Sequence, residues 1–167
     1  MPDASAPGLL RRINLAYARF LSALLAVSVL IIVVPVSLQI FSRYTPLVPH
    51  YIWTEELARF LLVWMVMIGA MLCLKEGSHF IVDVFPVLSP KPAAVMDLVS
   101  GTFVMIFAAT FFWYGIEFTE FAWFRISELA EMPLWLIHIA WPILGFTWMI
   151  FNGERMLNAV ATLRGRA

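Results

Sequence analysis

Hydrophobic residues along this chain come in four long runs, and short connectors rich in proline, glycine and charged groups separate them. The runs fall at about residues 20–40, 55–74, 93–118 and 133–151. At about 1.5 Å of rise per helical residue, each can cross a hydrocarbon core of about 30 Å. Lipid offers the backbone no water to bond, so a helix is the form such runs must take. The second run is the most sharply bounded. Leu57 to Leu74 carries one formal charge, Arg59, with Trp53, Glu55 and Glu56 ahead of it and Lys75 and Glu76 behind. Thr54 is placed to cap this helix by accepting an orphan backbone N–H. Glu55 and Glu56 suit the positive end of the helix dipole. Arg59 follows them by four and three residues, spacings that let all three meet on one face. Lys75 suits the helix C-terminus, and Gly77 the left-handed turn that ends one.

Prolines punctuate the rest. Pro35 cannot donate to the carbonyl of Ile31, nor Pro142 to that of His138, so the first and fourth helices are expected to bend there. Pro46 and Pro49 forbid one helix from joining the first two runs. Leu9 to Arg19 mixes arginines with apolar residues and reads as an interfacial lead-in. Behind the second run, Phe80, Ile81, Val84 and Phe85 alternate with His79 and Asp83, an amphipathic piece suited to the interface plane, which Pro86, Pro90 and Pro92 end. The third run can stay helical to Phe124, longer than a perpendicular crossing requires. An acidic loop with Glu117, Glu120, Arg125, Glu128 and Glu131 follows, and Pro133, a good first-turn residue, opens the fourth helix. The pattern predicts an all-α membrane protein with four transmembrane helices plus short interfacial amphipathic helices. Residues 1–19 form a tail and lead-in, 20–151 the membrane domain, and 152–167 a C-terminal tail.

Composition agrees. The 167 residues are 62% hydrophobic and 13% charged, whereas a soluble domain is about a quarter charged. Zero formal net charge gives no basic surface for nucleic acid. The single cysteine, Cys73, excludes an intrachain disulfide and any CxxC motif, and reads as a small buried hydrophobe. Arg11, Arg12 and Arg19 ahead of the first run superficially resemble a signal peptide, but the run is too long and lacks an A-x-A site, so it reads as a retained helix. Four crossings put both termini on one side. Eight basic residues (Arg11, Arg12, Arg19, Lys75, Lys91, Arg155, Arg164 and Arg166) lie on that side against three (Arg43, Arg59 and Arg125) on the other. The positive-inside rule therefore places both termini in the cytoplasm, with Trp53, Trp123 and Trp135 as an outer aromatic belt.

Little in the chain looks catalytic. There is no Walker-type glycine loop, no HExxH and no nucleophile elbow. No catalytic, substrate-binding or metal-binding residue is assigned, no cofactor is expected in this chain, and the protein is not expected to be an enzyme. His138 stands alone in the fourth run and is expected to make a satisfied polar contact. His50 and His79 lie at opposite faces, so a bis-histidine haem site is not evident. Glu55, Glu56 and Arg59 lie where charge in lipid is costly and marks function, yet near enough to a helix end for pairing and snorkelling to relieve it. Structure or partner docking is the role that fits them.

Two segments resemble a known family. W-x-E-E-L-A-R-F-L-L-V-W with K-E-G-S-H-x-x-V-D behind it, and M-P-L-W-x-x-x-x-x-W-P-I-L-G-F in the last run, are similar to the small membrane subunit, DctQ-type, of tripartite ATP-independent periplasmic (TRAP) transporters. The resemblance covers roughly Arg11 to Arg155. It implies import of an organic acid, a dicarboxylate or related carboxylate or sulfonate, across a bacterial inner membrane. Three components would share the work. A soluble periplasmic protein captures the acid, and a large elevator-type membrane subunit carries it with sodium. The small subunit braces the large one and helps the binding protein dock. The family's signature falls on Trp53, Glu55, Glu56 and Arg59, its post-helix turn on Glu76, Gly77, His79 and Asp83, and its last helix on Pro133, Trp135, Pro142 and Gly145, all given structural or docking roles. The termini lead to the expectation of an unfused small subunit. Two rivals are a membrane anchor of a redox complex, which would show a Soret band, and a self-contained exporter or channel, which would transport alone.

Overall fold

The computed structural model describes residues 9–45, 49, 51–76, 90–128 and 130–164. Among the described residues five helices appear in order: α1 (Leu9–Tyr44), α2 (Trp53–Glu76), α3 (Pro90–Ala122), α4 (Trp135–His138) and α5 (Ala140–Leu163). Four stretches are long and apolar enough to cross a membrane, Arg11–Tyr44, Trp53–Glu76, Lys91–Ala122 and Trp135–Leu163, the last joining α4 to α5. The all-α, four-span reading therefore holds. Among the described residues the extended pairing is a single antiparallel bridge, Ile126 to Pro133.

The boundaries differ from expectation at several points. The lead-in and the first run form one helix of 36 residues that passes through Pro35 without a break. Apolar residues alternate with Arg11, Arg12 and Arg19 at spacings a helix accepts, so nothing at residue 20 stops it. The third helix stops at Ala122, two residues short of Phe124. Pro133 sits in the bridge to Ile126 and helix begins at Trp135. At the other end α5 continues twelve residues beyond 151, to Leu163, taking up most of what was expected to be a tail. Polar residues there do not break a helix once partners receive them. Near Pro142 the last crossing is interrupted at Ile139, between α4 and α5. Pro142 has no N–H for the carbonyl of His138, so the ladder loosens there. The amphipathic segment around Phe80 to Phe85 lies outside the described residues.

The crossings do not close into a square bundle. α1 packs on α2, α2 on α5 and α5 on α3, so α1 and α3 sit at opposite edges. The core lies where α1, α2 and α5 converge, around Leu21, Ile68, Met71, Leu144 and Phe151. Outside it the surface is apolar: Leu30, Phe103 and Trp113 are each about 70% exposed (72%, 70% and 67%). Such a surface is at home in acyl chains and not in water.

Candidate functional site

Polar side chains gather at the two ends of the helices. At the end holding the start of α1 and the close of α2, the carboxylate of Glu154 on α5 accepts from Lys75 Nζ of α2 and from Asn14 Nδ2 of α1, both at 2.6 Å. Lys75 and Glu154 are each only 20% exposed, and the ammonium also lies 5.2 Å from the ring centre of Phe151. One helical position along, Arg155 pairs with Asp97 of α3. Asn152, buried, donates to the carbonyl of Gly101 on α3 at 2.7 Å. One turn of α5 therefore holds α1, α2 and α3 at once. Deeper in, the Tyr17 hydroxyl meets the buried Thr147 hydroxyl at 2.8 Å, and the Trp148 indole donates to the carbonyl of Ala70 at 3.1 Å.

Sequence reasoning missed most of this clamp. Asn152 and Glu154 fall beyond the expected end of the fourth helix at Phe151, and neither Asn14 in the lead-in nor Asp97 in the third run belongs to a motif that marks it. A signal existed. Each crossing carries one or two polar residues near the same end, and such groups in a lipid-facing helix call for partners.

The opposite end holds the predicted acidic and basic signature, arranged differently from expectation. Thr54 does not cap. α2 already begins at Trp53, and the buried Thr54 hydroxyl donates back to the carbonyl of Tyr51 at 2.7 Å. Glu55 and Arg59 are both exposed and no ion pair joins them. Glu56 turns instead to the connector between α3 and α4, where its carboxylate accepts the backbone N–H of Ala130 at 2.5 Å. That connector is ordered by its own ladder. Ser127 N–H donates to Met132 and Leu134 N–H to Arg125, at 2.9 and 3.0 Å, and Glu131 takes the left-handed φ of 52° that the tight return needs. Trp123 and Trp135 stack across its base at 5.3 Å, and Trp53 lies against Tyr51 at the same end. The Trp64 indole donates to the carbonyl of Leu136, fixing α4 on α2. His138 makes the satisfied contact expected of it, with Nδ1 2.6 Å from the carbonyl of Leu134 and the ring edge-on to Phe118.

Among the remaining signature residues, Pro142 and Gly145 are buried against α3. A side chain at Gly145 would fall 2.5 Å from the backbone nitrogen of Phe112, and one at Gly115 would fall 2.7 Å from that of Pro142. Helices in lipid associate through such close backbone approach. Glu76 is exposed at the end of α2. Gly77, His79 and Asp83 lie outside the described residues.

Four apolar crossings, clamped to one another by partnered polar groups at one end and by the α3–α4 connector at the other, define a multi-pass helical membrane protein. Within that class the chain belongs to the DctQ component family of tripartite ATP-independent periplasmic transporters, whose family model matches residues 32–162. The family is one of transporter components. The chain is also 23% identical over 147 residues to the isethionate TRAP transporter permease protein DctMQ of Oleidesulfovibrio alaskensis. The match takes in 83% of this chain but only 23% of that protein, so the chain spans less than a quarter of the relative's length.

Proposed function

We propose that this chain is the small permease subunit of a sodium-coupled TRAP transporter importing an organic acid, and that it works as a fixed scaffold for the large elevator-type subunit. The observation that carries this reading is the family match across residues 32–162, on a helical framework whose crossings are tied to one another. One turn of α5 joins the chain's other three crossings into one body, the form a fixed scaffold requires. Sodium and solute then bind in the large subunit, and solute choice belongs to that subunit and the periplasmic binding protein. A dicarboxylate or related carboxylate or sulfonate fits the class, and the relative's name specifies isethionate for that protein. The chain sits in the bacterial inner membrane with both termini cytoplasmic, on the eight-to-three bias of basic residues. The connector pinned by Glu56 then faces the periplasm, where its exposed acidic groups help orient the binding protein.

Reconstitution tests this directly. Liposomes holding this chain with its large subunit, supplied with binding protein and an inward sodium gradient, are expected to accumulate the solute. Liposomes holding this chain alone are expected to accumulate none, and uptake by the lone chain would overturn the scaffold role.

A further inference from the structure

On the reading of this chain as the small permease subunit, we infer that the aromatic hollow around Glu117 receives a basic side chain, lysine or arginine, carried by a transmembrane helix of the large subunit. Glu117 lies inside α3 and not in the loop expected for it, five residues before the helix ends at Ala122. It is six residues, about 9 Å along the helix, deeper than Trp123, whose stack with Trp135 marks the boundary at this end. The residue is exposed, and among the described residues its carboxylate has neither a hydrogen-bond nor an ion-pair partner. Snorkelling gives it little relief. Helical side chains lean toward the N-terminus of their own helix, and α3 begins at the opposite face, beside the Asp97–Arg155 pair. The lean therefore carries this short side chain further into the apolar layer, where an ionised group calls for a partner.

The surroundings set the charge of that partner. A cavity of about 570 Å³ lies between α3 and α5, walled by Glu117, Tyr114, Phe118, Phe121 and Trp141. Tyr114, Phe118 and Phe121 are exposed, and Phe118 meets Trp141 edge to face at 6.1 Å. Aromatic faces attract cations, most strongly where water is excluded, and a carboxylate among them adds a full charge of the same sign. The chain already uses this chemistry once. The Arg125 guanidinium lies 3.9 Å from the centre of the Phe121 ring, yet no ion pair joins it to Glu117. Acyl chains could fill the cavity but would leave the carboxylate uncompensated. The ammonium of a phospholipid headgroup sits at or beyond the tryptophan level, above Glu117, whereas a basic side chain on a neighbouring helix can enter at this depth. The cavity between α1 and α5 makes the contrast. It is larger, about 760 Å³, but its carboxylate, Glu154, is already taken by Lys75 and Asn14.

Two measurements test this on the full chain co-produced with the large subunit. In the first, p-benzoylphenylalanine is placed at Tyr114, the membranes are illuminated, and the adduct is mapped by mass spectrometry. The adduct is expected on a transmembrane segment of the large subunit that contains lysine or arginine. In the second, Glu117→Lys, Glu117→Gln and Glu120→Lys are purified through a tag on the small chain in mild detergent. Both positions are exposed on α3, so circular dichroism is expected to show wild-type helix content. Recovery of the large subunit is expected to fall about ten-fold with Glu117→Lys, where two cations would meet. Glu117→Gln, which keeps the size and removes the charge, is expected to lower recovery as well. Glu120→Lys, one turn nearer the boundary and outside the cavity, is expected to stay at wild type. Undiminished recovery with either Glu117 variant overturns the assignment, as does equal loss with Glu120→Lys. An adduct with phospholipid, with a second copy of this chain, or with a segment lacking a basic residue overturns it too. A wild-type chain that retains no large membrane protein overturns the subunit reading itself.

Discussion

Glu154 and Lys75 approach to 2.6 Å from helices whose sequence positions are 79 apart, and each is four-fifths shielded. In water such a pair would contribute little, because solvent and salt weaken it. Here the relevant comparison is with one partner left facing an apolar neighbourhood, which is the costly state. Glu154→Gln and Lys75→Met are each expected to lower stability by about 1–3 kcal/mol. The double variant should lose clearly less than the sum of the two. Thermal unfolding in detergent, followed by circular dichroism, measures the cycle; strictly additive losses would show that the two side chains do not act as a pair. Asp97 and Arg155 are more exposed, at 40% and 36%, and a weaker coupling is expected there. Glu56 illustrates how a residue's role depends on what lies opposite. Its spacing from Arg59 allowed an intrahelical pair worth a few tenths of a kcal/mol, roughly. A charge-assisted bond to the Ala130 amide is the stronger interaction, and that is where the carboxylate goes.

Among the elements, the contact of α3 with α5 depends on absent side chains. Gly145 lies against the backbone of Ala108 and Phe112, and Gly115 against the ring and backbone of Pro142. A leucine at 145 has nowhere to go without moving α3. Gly145→Leu is therefore expected to cost about 1–3 kcal/mol or more through overpacking. The loss should register as a lower unfolding midpoint and faster amide exchange around Phe112, and unchanged exchange there would contradict the packing argument. The spacing of prolines and glycines in the last run was visible in the sequence, and so was the likeness to a family. That they serve the inner contact with α3 was not visible, since a helix can present either face to a partner. The start of the fourth helix was misplaced for a similar reason. Pro133 is a sound first-turn residue by local rules, but the ladder with Ile126 draws it into the connector instead.

For the whole molecule, the orientation rests on the distribution of eleven basic residues, eight to one side and three to the other. Thiol labelling checks it. In a Cys73→Ser background, Glu128→Cys is expected to react with a membrane-impermeant reagent from the periplasmic side. Arg164→Cys should react only after the inner membrane is permeabilised. The reverse pattern would invert the topology and place the Glu56-pinned connector on the wrong side for a binding protein. The shape of the framework matters as much as its orientation. Because α1 touches chiefly α2 and α3 chiefly α5, much of the molecule is a row of helices with broad faces. A row extends a neighbour's surface, which is what a scaffold beside a larger carrier would do.

Four crossings, their order and their charge bias were determined by the sequence alone. Lipid removes every backbone alternative to a helix, and each run's length and termini are local properties of the chain. Partnership was decided only by the tertiary structure. Glu56 found the amide of Ala130, Glu154 gathered Lys75 and Asn14, and Gly145 let α3 come close, because each choice depends on residues distant in sequence meeting at one depth in the membrane.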